Sequence, residues 1–410
     1  MRFAHMADLH VTEGARLADQ RSVLGGVVAD IEREHVDLVL LAGDFTGRRV
    51  PHRSTPAERS VLLPALVRLA KVAPVVCLVG NHDDADDLAL VELLDGHWPI
   101  RVVRAPGHLV VQTPCGRAHL WCLPYPTRRG LLGERAHPGG VGEQRDAMHA
   151  RIAALLAGWA AEIRALRVSA PTEPHLLLAH LTVAGSALAG GEVLDPQEVE
   201  ASREALDALG VDYGALGHLH LRQEPAARCW YPGSIWRGDF GETDPKGWHL
   251  VRLNLDVARA CVPGAYEGGD GRQACFVEHR PSGCRDFVTL DWSWGATDGP
   301  PGWLARPSDE AVGRGRGAEV RCRLTVPEEW SASCPWAAEL ERVVDAGAVR
   351  CQVERRVVPA VRVRAPAVVE ARAPADKLRA YWSTLDAPPS SEAQREALAV
   401  LADLTSGERA

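Results

Sequence analysis

Five short groups of acidic, amide and imidazole side chains lie in the first half of the 410-residue chain. In chain order they are Asp8-x-His10, Gly43-Asp44, Gly80-Asn81-His82-Asp83, His180 and Gly217-His218-x-His220. Carboxylate and imidazole groups are suitable ligands for manganese, iron or zinc. Two such ions, about 3.5–4 Å apart, lower the pKa of a water between them and polarise a phosphate. The set therefore predicts a two-metal site that hydrolyses phosphate esters.

The residue types also predict separate roles within this site. A two-metal site needs one carboxylate shared by both ions, and we assign that role to Asp44. The predicted further ligands are Asp8, His10 and His220 for one ion, and Asn81, His180 and His218 for the other. His82 is expected to face the substrate and to protonate the leaving oxygen as general acid. Asp83 is expected to orient that imidazole.

Each group directly follows an apolar segment that reads as a strand. The predicted strands are Arg2–Ala7, Val36–Ala42, Val75–Val79, Leu176–Ala179 and Tyr213–Leu216. The predicted helices between them are Leu17–Glu34, Val61–Ala73 and Ala147–Leu166. This alternation predicts an α/β fold, in which side chains at the carboxyl ends of strands converge on one edge of a sheet. One such motif alone is weak, because most single histidines are structural.

Composition limits the classes of function. The formal net charge of −8 argues against a chain that coats nucleic acid through overall positive charge, so DNA would need a local basic patch or the metal ions. The ten cysteines contain no CxxC pair, which argues against a zinc finger and indicates a reducing compartment. The N-terminus has no signal pattern and the longest apolar run is too short to span a bilayer, so we expect a cytoplasmic protein without a membrane partner.

The second half of the chain changes character. An irregular connection is predicted at 256–285 and a long loop at 299–317. A small α+β domain is predicted at 286–370. Its strands are Glu319–Val326, Val349–Val357 and Val361–Val363, and its helix is Ala337–Ala346. A helical hairpin is predicted at 375–410.

The five groups resemble the motifs DxH, GD, GNHD, H and GHxH of the calcineurin-like metallophosphoesterase superfamily. The segment from Tyr231 to Gly247 is similar to the Y-x-G-S-x-x-R-x-x-F-G-E…K-G segment of the SbcD nuclease family. The stretches Phe3–Val11 and Leu176–Ser186 are also similar to that family. The resemblance covers residues 1–255. It implies a nuclease domain there, with a metallophosphoesterase-type β-sandwich flanked by helices in four αββα layers.

The same resemblance implies a function and partners. It implies a manganese-dependent exonuclease on duplex ends and endonuclease on hairpins or single strands, acting in DNA repair and recombination. Residues 286–370 would then form a DNA-binding capping domain. The hairpin would bind an SMC-like ATPase of the SbcC type, within a heterotetramer that contains a homodimer of this chain. The hairpin residues available for that contact are Leu378, Tyr381, Trp382, Leu385, Leu398 and Leu401. Packing of the hairpin on its own chain is the alternative.

Gly47 is a departure from the family pattern. It occupies a position where the family usually has an Asp or His near the substrate phosphate, and His52 is a candidate substitute. The candidate DNA contacts beside the site are His52 and the arginines Arg48, Arg49, Arg53, Arg128 and Arg129. Solvated loop charge is the alternative for each arginine.

Two other functions fit parts of the sequence. A phosphatase or phosphodiesterase acting on small molecules would use the same metals, although the Phe240-Gly241-Glu242 segment speaks against it. A non-catalytic scaffold that anchors an ATPase to DNA would tolerate a broken ligand set. The complete set favours an enzyme.

Overall fold

The computed structural model describes residues 1–47, 53–133, 140–190, 198–254, 275–296, 300–359 and 366–407. Its strands in chain order are β1 Arg2–Met6, β2 Leu38–Leu41, β3 Val75–Leu78, β4 Ile100–Val103, β5 Gly107–Thr113, β6 Gly116–Leu123, β7 His175–His180, β8 Thr182–Val183, β9 Glu200–Ala201, β10 Tyr213–Gly217, β11 Gln223–Ala226, β12 Cys229–Tyr231, β13 Gly247–Leu253, β14 Cys275–Pro281, β15 Phe287–Gly295, β16 Gly302–Ala305, β17 Glu319–Pro327 and β18 Arg350–Val358. Its α-helices are α1 Leu17–Glu34, α2 Pro56–Val72, α3 Ala85–Ala89, α4 Arg128–Leu132, α5 Val141–Ser169, α6 Arg203–Asp207, α7 Asp309–Gly313, α8 Trp336–Asp345, α9 Pro366–Glu370, α10 Pro374–Trp382 and α11 Ser391–Gly407. Short 3₁₀ helices cover Leu90–Leu93 and Glu328–Trp330.

Two six-stranded sheets form the centre of the fold. The first has the order β14-β13-β1-β2-β3-β4 and the second β11-β12-β10-β7-β6-β5. The neighbours from β1 to β4 run parallel, as do β6, β7 and β10. Each parallel crossover places a helix against the sheet, which is the usual consequence of a βαβ connection. The predicted α/β fold is confirmed.

Burial on both faces explains why the sequences of the central strands are almost wholly apolar. In β2, Leu38 and Leu40 join a core between the two sheets, while Val39 and Leu41 join a core beneath α1 and α2. Both faces of the strand are therefore covered, so no polar alternation is left in the sequence. A third core lies between α5 and the second sheet. These three cores account for the layers αββα.

Helix boundaries differ from the prediction where capping residues were overlooked. Helix α2 begins at Pro56 rather than at Val61, because Thr55 and Glu58 form a capping box. The Thr55 side chain accepts from the Glu58 N–H, and the Glu58 carboxylate accepts from the Thr55 N–H at 2.8 Å. Helix α1 covers the predicted Leu17–Glu34.

Two predictions for the second half were wrong. The irregular connection at 256–285 contains a strand, because β14 pairs antiparallel with β13 from Gly247 opposite Pro281 to Leu253 opposite Cys275. The first sheet thus continues beyond the predicted end of the nuclease domain. The predicted loop at 299–317 contains β16 and α7. The predicted strand at 361–363 lies outside the described residues.

The chain forms two compact units. The first comprises Met1–Leu290, Ser308–Cys322 and Glu339–Gln352, and the second comprises Asp291–Pro307, Arg323–Ala338 and Val353–Ala410. A four-stranded sheet has the order β16-β15-β17-β18. The predicted domain boundaries at 255, 286 and 370 stay predictions. Within the described ranges, no helix combines the length and apolar character that a membrane span requires.

The predicted helical hairpin is present as α10 and α11. Trp382 is buried, with 7% exposure, so its indole offers little surface to a partner; its predicted partner contact stays a prediction. Tyr381 is 50% exposed, and the side chains that are partly exposed are Leu378, Leu385, Leu398 and Leu401.

A buried polar chain crosses the apolar layer between the two sheets. His5 Nε2 donates to the Leu216 carbonyl at 3.1 Å, so the neutral ring accepts at Nδ1 from the Tyr213 hydroxyl at 2.9 Å. The same hydroxyl accepts from His249 Nδ1 at 3.3 Å. Burial lowers the pKa of His5 to about 3 and that of His249 to about 2. Both rings are therefore neutral in the folded protein at neutral pH.

This burial predicts acid sensitivity. Between about pH 6.5 and 3 the unfolded chain protonates His5 while the folded chain does not. The stability that neutral His5 contributes is therefore fully present above the pKa of the unfolded chain. Below it, the free energy of unfolding falls by about 1.4 kcal/mol for each unit by which the pH decreases. For His5→Gln, the free energy of unfolding in urea, measured from pH 7 to pH 5, should depend less steeply on pH than that of wild type, by about that amount. The exposed His97→Gln is the control, and an unchanged slope in His5→Gln would contradict the prediction.

Candidate metal centre

The predicted ligands lie at the carboxyl ends of parallel strands from both sheets. Asp8, Asp44 and Asn81 follow β1, β2 and β3 of the first sheet. His180 ends β7 and His218 follows β10, both in the second sheet. Because the two sheets lie face to face, their strand ends bring these loops to a common edge.

Three groups of side chains in the described ranges offer ligand atoms that lie within 4.8 Å of one another. They are Asp8, His10 and His220; Asp44, His180 and His218; and His10, Asp44 and His82. The first group contains the three side chains predicted for one ion, and the second contains His180 and His218 of the other set together with Asp44. Their assignment to two ions stays a prediction. Asp44 belongs to two groups, which suits a carboxylate shared by two ions, and its bridging role stays a prediction.

The distances within these groups show how tightly the donors converge. His10 Nε2 lies 2.9 Å from His220 Nε2. Asp44 Oδ2 lies 3.4 Å from His180 Nε2 and 3.7 Å from His10 Nε2. The Asn81 side-chain oxygen lies 2.9 Å from His180 Nε2 and 3.1 Å from His218 Nδ1. The Asn81 oxygen therefore lies beside the second group, and its role as a ligand stays a prediction.

The surroundings of these donors shift their pKa values in different directions. Burial raises the pKa of Asp8, whereas for Asp44 the effect of burial is outweighed by His180, His10 and His82, which hold its pKa below the usual range. Burial lowers the pKa of His10 to about 3, so its imidazole is neutral and can coordinate. Burial opposes protonation of His180, but Asp44 and Asp8 raise its pKa to about 9.

This arrangement fits bound metal. Two imidazole nitrogens that face each other at 2.9 Å cannot both keep a lone pair directed inward without a cation or proton between them. The buried carboxylates of Asp8 and Asp44, 0% and 1% exposed, likewise need positive charge close by. Divalent ions supply both, so the site is a candidate divalent metal centre.

The backbone at the site is held in an unfavourable conformation. Positive φ angles occur at Asp8 (55°), His10 (38°), Asp44 (56°) and His218 (105°). L-amino acids rarely adopt this region, and such residues concentrate at functional sites. Hydrogen bonds hold them there: the His10 N–H donates to the Asp44 carbonyl at 2.9 Å, and the His218 N–H donates to the Asp8 carboxylate at 3.1 Å.

Glycines before two ligands allow the loops to approach each other. A Cβ on Gly43 would lie 2.2 Å from His180 Nδ1, and one on Gly80 would lie 2.1 Å from Asp44 Oδ1. Side chains at either position would push a ligand out of place. The Gly-Asp and Gly-Asn pairs in the motifs therefore have a steric cause.

His82 lies beside the metal-capable groups. Its Nε2 is 3.8 Å from Asp44 Oδ2, and its N–H donates to Asp44 Oδ1 at 2.9 Å. Its ring meets that of His10 edge to face at 4.9 Å. With 20% of its side chain exposed, His82 is accessible to a substrate. Its predicted role as general acid stays a prediction.

Asp83 supports the loop that carries Asp44. Its carboxylate accepts from the N–H groups of Gly80 and Asp44, both at 2.9 Å, and of Phe45 at 2.8 Å. Burial and the nearby Asp44 charge raise the pKa of Asp83 to about 7. The predicted action of Asp83 on His82 stays a prediction, and its hydrogen bonds assign it to holding the loop.

Two carboxylates beside the histidine ligands were missed. Glu198 Oε1 lies 2.5 Å from His218 Nε2 and accepts from the Thr182 hydroxyl at 2.6 Å. Glu242 Oε1 accepts from His220 Nδ1 at 3.3 Å. Burial would raise the pKa of Glu242, but His220 and Lys246 lower it to about 2. No local motif marks Glu198, whereas Glu242 belongs to the Tyr231–Gly247 segment, which the sequence singled out without a role.

The candidate DNA contacts are only partly described. Arg48, Arg49 and His52 lie outside the described residues. Arg53, Arg128 and Arg129 are exposed, the last two at the start of α4. Their contact with DNA stays a prediction.

Gly47 has no room for a side chain. A Cβ there would lie 2.2 Å from Thr12 Oγ1 and 2.7 Å from the His10 carbonyl oxygen. The acidic or imidazole side chain expected from the resemblance would therefore displace the backbone of a metal ligand. In this chain Gly47 is required by packing.

The Gly47→Ala variant tests this contact. It should lower the free energy of unfolding by roughly 1–3 kcal/mol through overpacking, and weaken metal binding through His10. Gly158→Ala in α5 is the matched control, since nothing lies within 4 Å of its Cβ, and it should stabilise by roughly 0.5–1 kcal/mol. Urea unfolding and metal titration measure both; wild-type values for Gly47→Ala would refute the steric argument.

Three relatives are similar to much of this chain. The SbcD nuclease component of SbcCD from Rhodobacter capsulatus is 30% identical over 290 residues, which cover 64% of this chain and 68% of the relative. The uncharacterized metallophosphoesterase YhaO of Bacillus subtilis is 27% identical over 288 residues, covering 63% and 59%. The SbcD nuclease component of SbcCD from Bacillus subtilis is 28% identical over 236 residues, covering 54% and 58%.

A solved structure and a family model are also similar to the chain. The structure of GAP50, an anchor in the inner membrane complex of Plasmodium, covers 86% of this chain and 96% of its own at 9% identity. Its TM-score of 0.40 is too low to support an argument. Residues 1–222 match the model of the calcineurin-like phosphoesterases, and all the candidate ligands named above lie within that range. The chain belongs to the calcineurin-like phosphoesterase family and is a distant relative of SbcD nucleases.

Proposed function

We propose that this chain is a metal-dependent DNA nuclease, the nuclease component of an SbcCD-like complex that processes double-strand breaks. The observation that carries the proposal is the complete set of Asp, Asn and His donors that converge from both sheets. The two relatives named as SbcCD nucleases support a nuclease activity. The YhaO relative shares the family without an assigned substrate, so the nuclease proposal rests on those two relatives and on the Tyr231–Gly247 segment.

The proposed chemistry divides between ions and side chains. Two divalent ions, with manganese favoured, would be held by Asp8, His10 and His220 and by Asn81, His180 and His218, with Asp44 shared. When bound, they would activate water and neutralise phosphoryl charge. Burial keeps His10 neutral, whereas His180 carries a proton that a bound ion would have to displace. The site is largely buried, and electrostatic interactions there are stronger than in water. Asp83 keeps the Asp44 loop in place through backbone hydrogen bonds.

His82 is the proposed general acid. It lies at the rim, exposed enough to meet a substrate and close enough to the donors to reach a phosphate held there. A proton given to the leaving oxygen would assist departure of the nucleoside. Because His82 also belongs to a metal-capable group, its role must be separated from metal binding.

A digestion series tests the proposal. Wild-type protein with Mn²⁺ should release mononucleotides from linear duplex DNA and open hairpin DNA. His82→Gln should lower cleavage by about 10²–10⁴-fold while two ions still bind, as measured by calorimetry. His97→Gln is the exposed control.

The outcomes separate the alternatives. Turnover of a small phosphodiester such as bis-p-nitrophenyl phosphate without any action on DNA would favour the small-molecule enzyme. A loss of metal affinity in His82→Gln would make His82 a ligand instead of the acid.

We further propose that α10 and α11 bind an SMC-like ATPase of the SbcC type. Apolar side chains on these helices are exposed, with Tyr381 at 50%, Val400 at 54% and Leu404 at 66%. An amphipathic helix pair of this kind can enter an apolar groove of a partner. The expected homodimer within a heterotetramer stays a prediction.

Deletion of residues 375–410 should abolish co-purification with an SbcC-type ATPase from the same genome. Because a deletion can disturb the rest of the chain, Tyr381→Asp combined with Val400→Asp should have the same effect with an unchanged circular dichroism spectrum. Glu396→Gln on α11 is the control. Retention of the ATPase by the double variant would refute the assigned surface.

A further inference from the structure

The segment from Tyr231 to Gly247 supplies none of the metal-capable donors, yet it lies against one of them. It leaves β12, runs through a loop and enters β13. The loop folds around His220, a ligand of the first metal group. Its contacts reach both the backbone and the ring of that histidine.

The backbone of His220 is held by two donors from the segment. The Ser234 N–H donates to the His220 carbonyl at 3.3 Å, and Lys246 Nζ donates to the same oxygen at 3.0 Å. Gly233 makes this approach possible, because it has a φ of +76° and a Cβ there would lie 2.6 Å from that oxygen. The carbonyl therefore has two partners and a fixed position.

The ring of His220 is held by Glu242. The carboxylate Oε1 lies 3.3 Å from Nδ1, and an ionised carboxylate only accepts hydrogen bonds. Nδ1 must therefore carry the proton, so Nε2 is the unprotonated nitrogen of the ring. Nε2 is the atom that faces His10 Nε2 at 2.9 Å, inside the first metal group.

Lys246 completes the arrangement. Its Nζ lies 2.8 Å from Glu242 Oε2 and 3.2 Å from Asp244 Oδ1, and its side chain is fully buried. A buried ammonium is costly unless paired, and its charge favours the ionised carboxylate. One lysine thus contacts the carboxylate that orients the ring and the carbonyl that fixes the backbone.

His218, in the second metal group, has a separate support. Glu198 lies 2.5 Å from its Nε2, while its Nδ1 faces the Asn81 oxygen at 3.1 Å. The two metal groups therefore rely on different carboxylates from different loops. Partners of this kind fix the tautomer of a histidine ligand and raise its basicity.

We infer that Glu242 and Lys246 are positioning residues for His220, and that they set the affinity of only the one ion that His220 would bind. This rests on the metal centre of the proposed function. Glu198 is the corresponding positioning residue for His218. The Tyr231–Gly247 segment thereby gains a role that does not involve contact with DNA.

Metal titration of the metal-free full-length chain tests the inference. Wild type should bind two Mn²⁺ ions by calorimetry. Glu242→Ala should weaken one of the two by about 10–100-fold and leave the other unchanged. Glu242→Gln keeps an accepting oxygen without the charge and should recover part of the loss. Histidine ¹⁵N spectra of the metal-free protein should show His220 protonated at Nδ1 in wild type and a tautomer mixture in Glu242→Ala.

A double-variant cycle assigns the effect to one ion. In a His220→Ala background, Glu242→Ala should cause no further loss, because the histidine it positions is absent. Glu198→Ala in that background should still weaken the remaining ion. Lys246→Met should resemble Glu242→Ala, and Lys246→Arg should recover part of the loss.

The outcomes are distinct. If wild type binds two ions and the folded Glu242→Ala variant binds both with the same affinity, only the positioning role is overturned. An equal loss from Glu242→Ala in the His220→Ala background would also overturn it, since the effect would then be general. Failure of wild type to bind two ions would overturn both the inference and the metal centre. Two ions without DNA cleavage would remove only the proposed nuclease.

Discussion

The burial of the Asp44 carboxylate is the constraint on which the rest of the site depends. An ionised carboxylate that is 1% exposed is costly unless opposite charge and hydrogen-bond donors surround it. The His82 N–H supplies a donor at 2.9 Å, and His180 Nε2 lies at 3.4 Å. Divalent ions would complete the compensation. Glycine before the ligands and positive φ angles at the ligands are consequences of bringing so many polar groups to one carboxylate.

The two sheets make this convergence possible. Each delivers loops only from its own strand ends, so a site with ligands from β1, β2 and β3 and from β7 and β10 requires the sheets to be fixed against each other. The apolar core between them supplies the energy of that contact. The directional His5–Tyr213 hydrogen bond also lies within this core. Because burial keeps His5 neutral, the free energy of unfolding falls on acidification.

Around the donors lies a second layer of carboxylates with different tasks. Asp83 holds the backbone of the Asp44 loop, Glu198 meets His218, and Glu242 meets His220. These residues do not need to touch substrate. They explain how loops, which are usually mobile, can hold ligand atoms in fixed positions.

The sequence by itself determined the candidate ligands and the sheet class, because both follow from local patterns: an apolar run buried on two faces, then a polar residue where the strand ends. Only the tertiary structure decided the supports. Glu198 comes to His218 from a loop with no periodic signal, and Asp83 bonds a backbone almost forty positions earlier in the chain. The lack of space at Gly47 is set by Thr12 and His10, which local sequence cannot reveal. Such contacts depend on how distant segments meet, and that is fixed only when the two sheets pack.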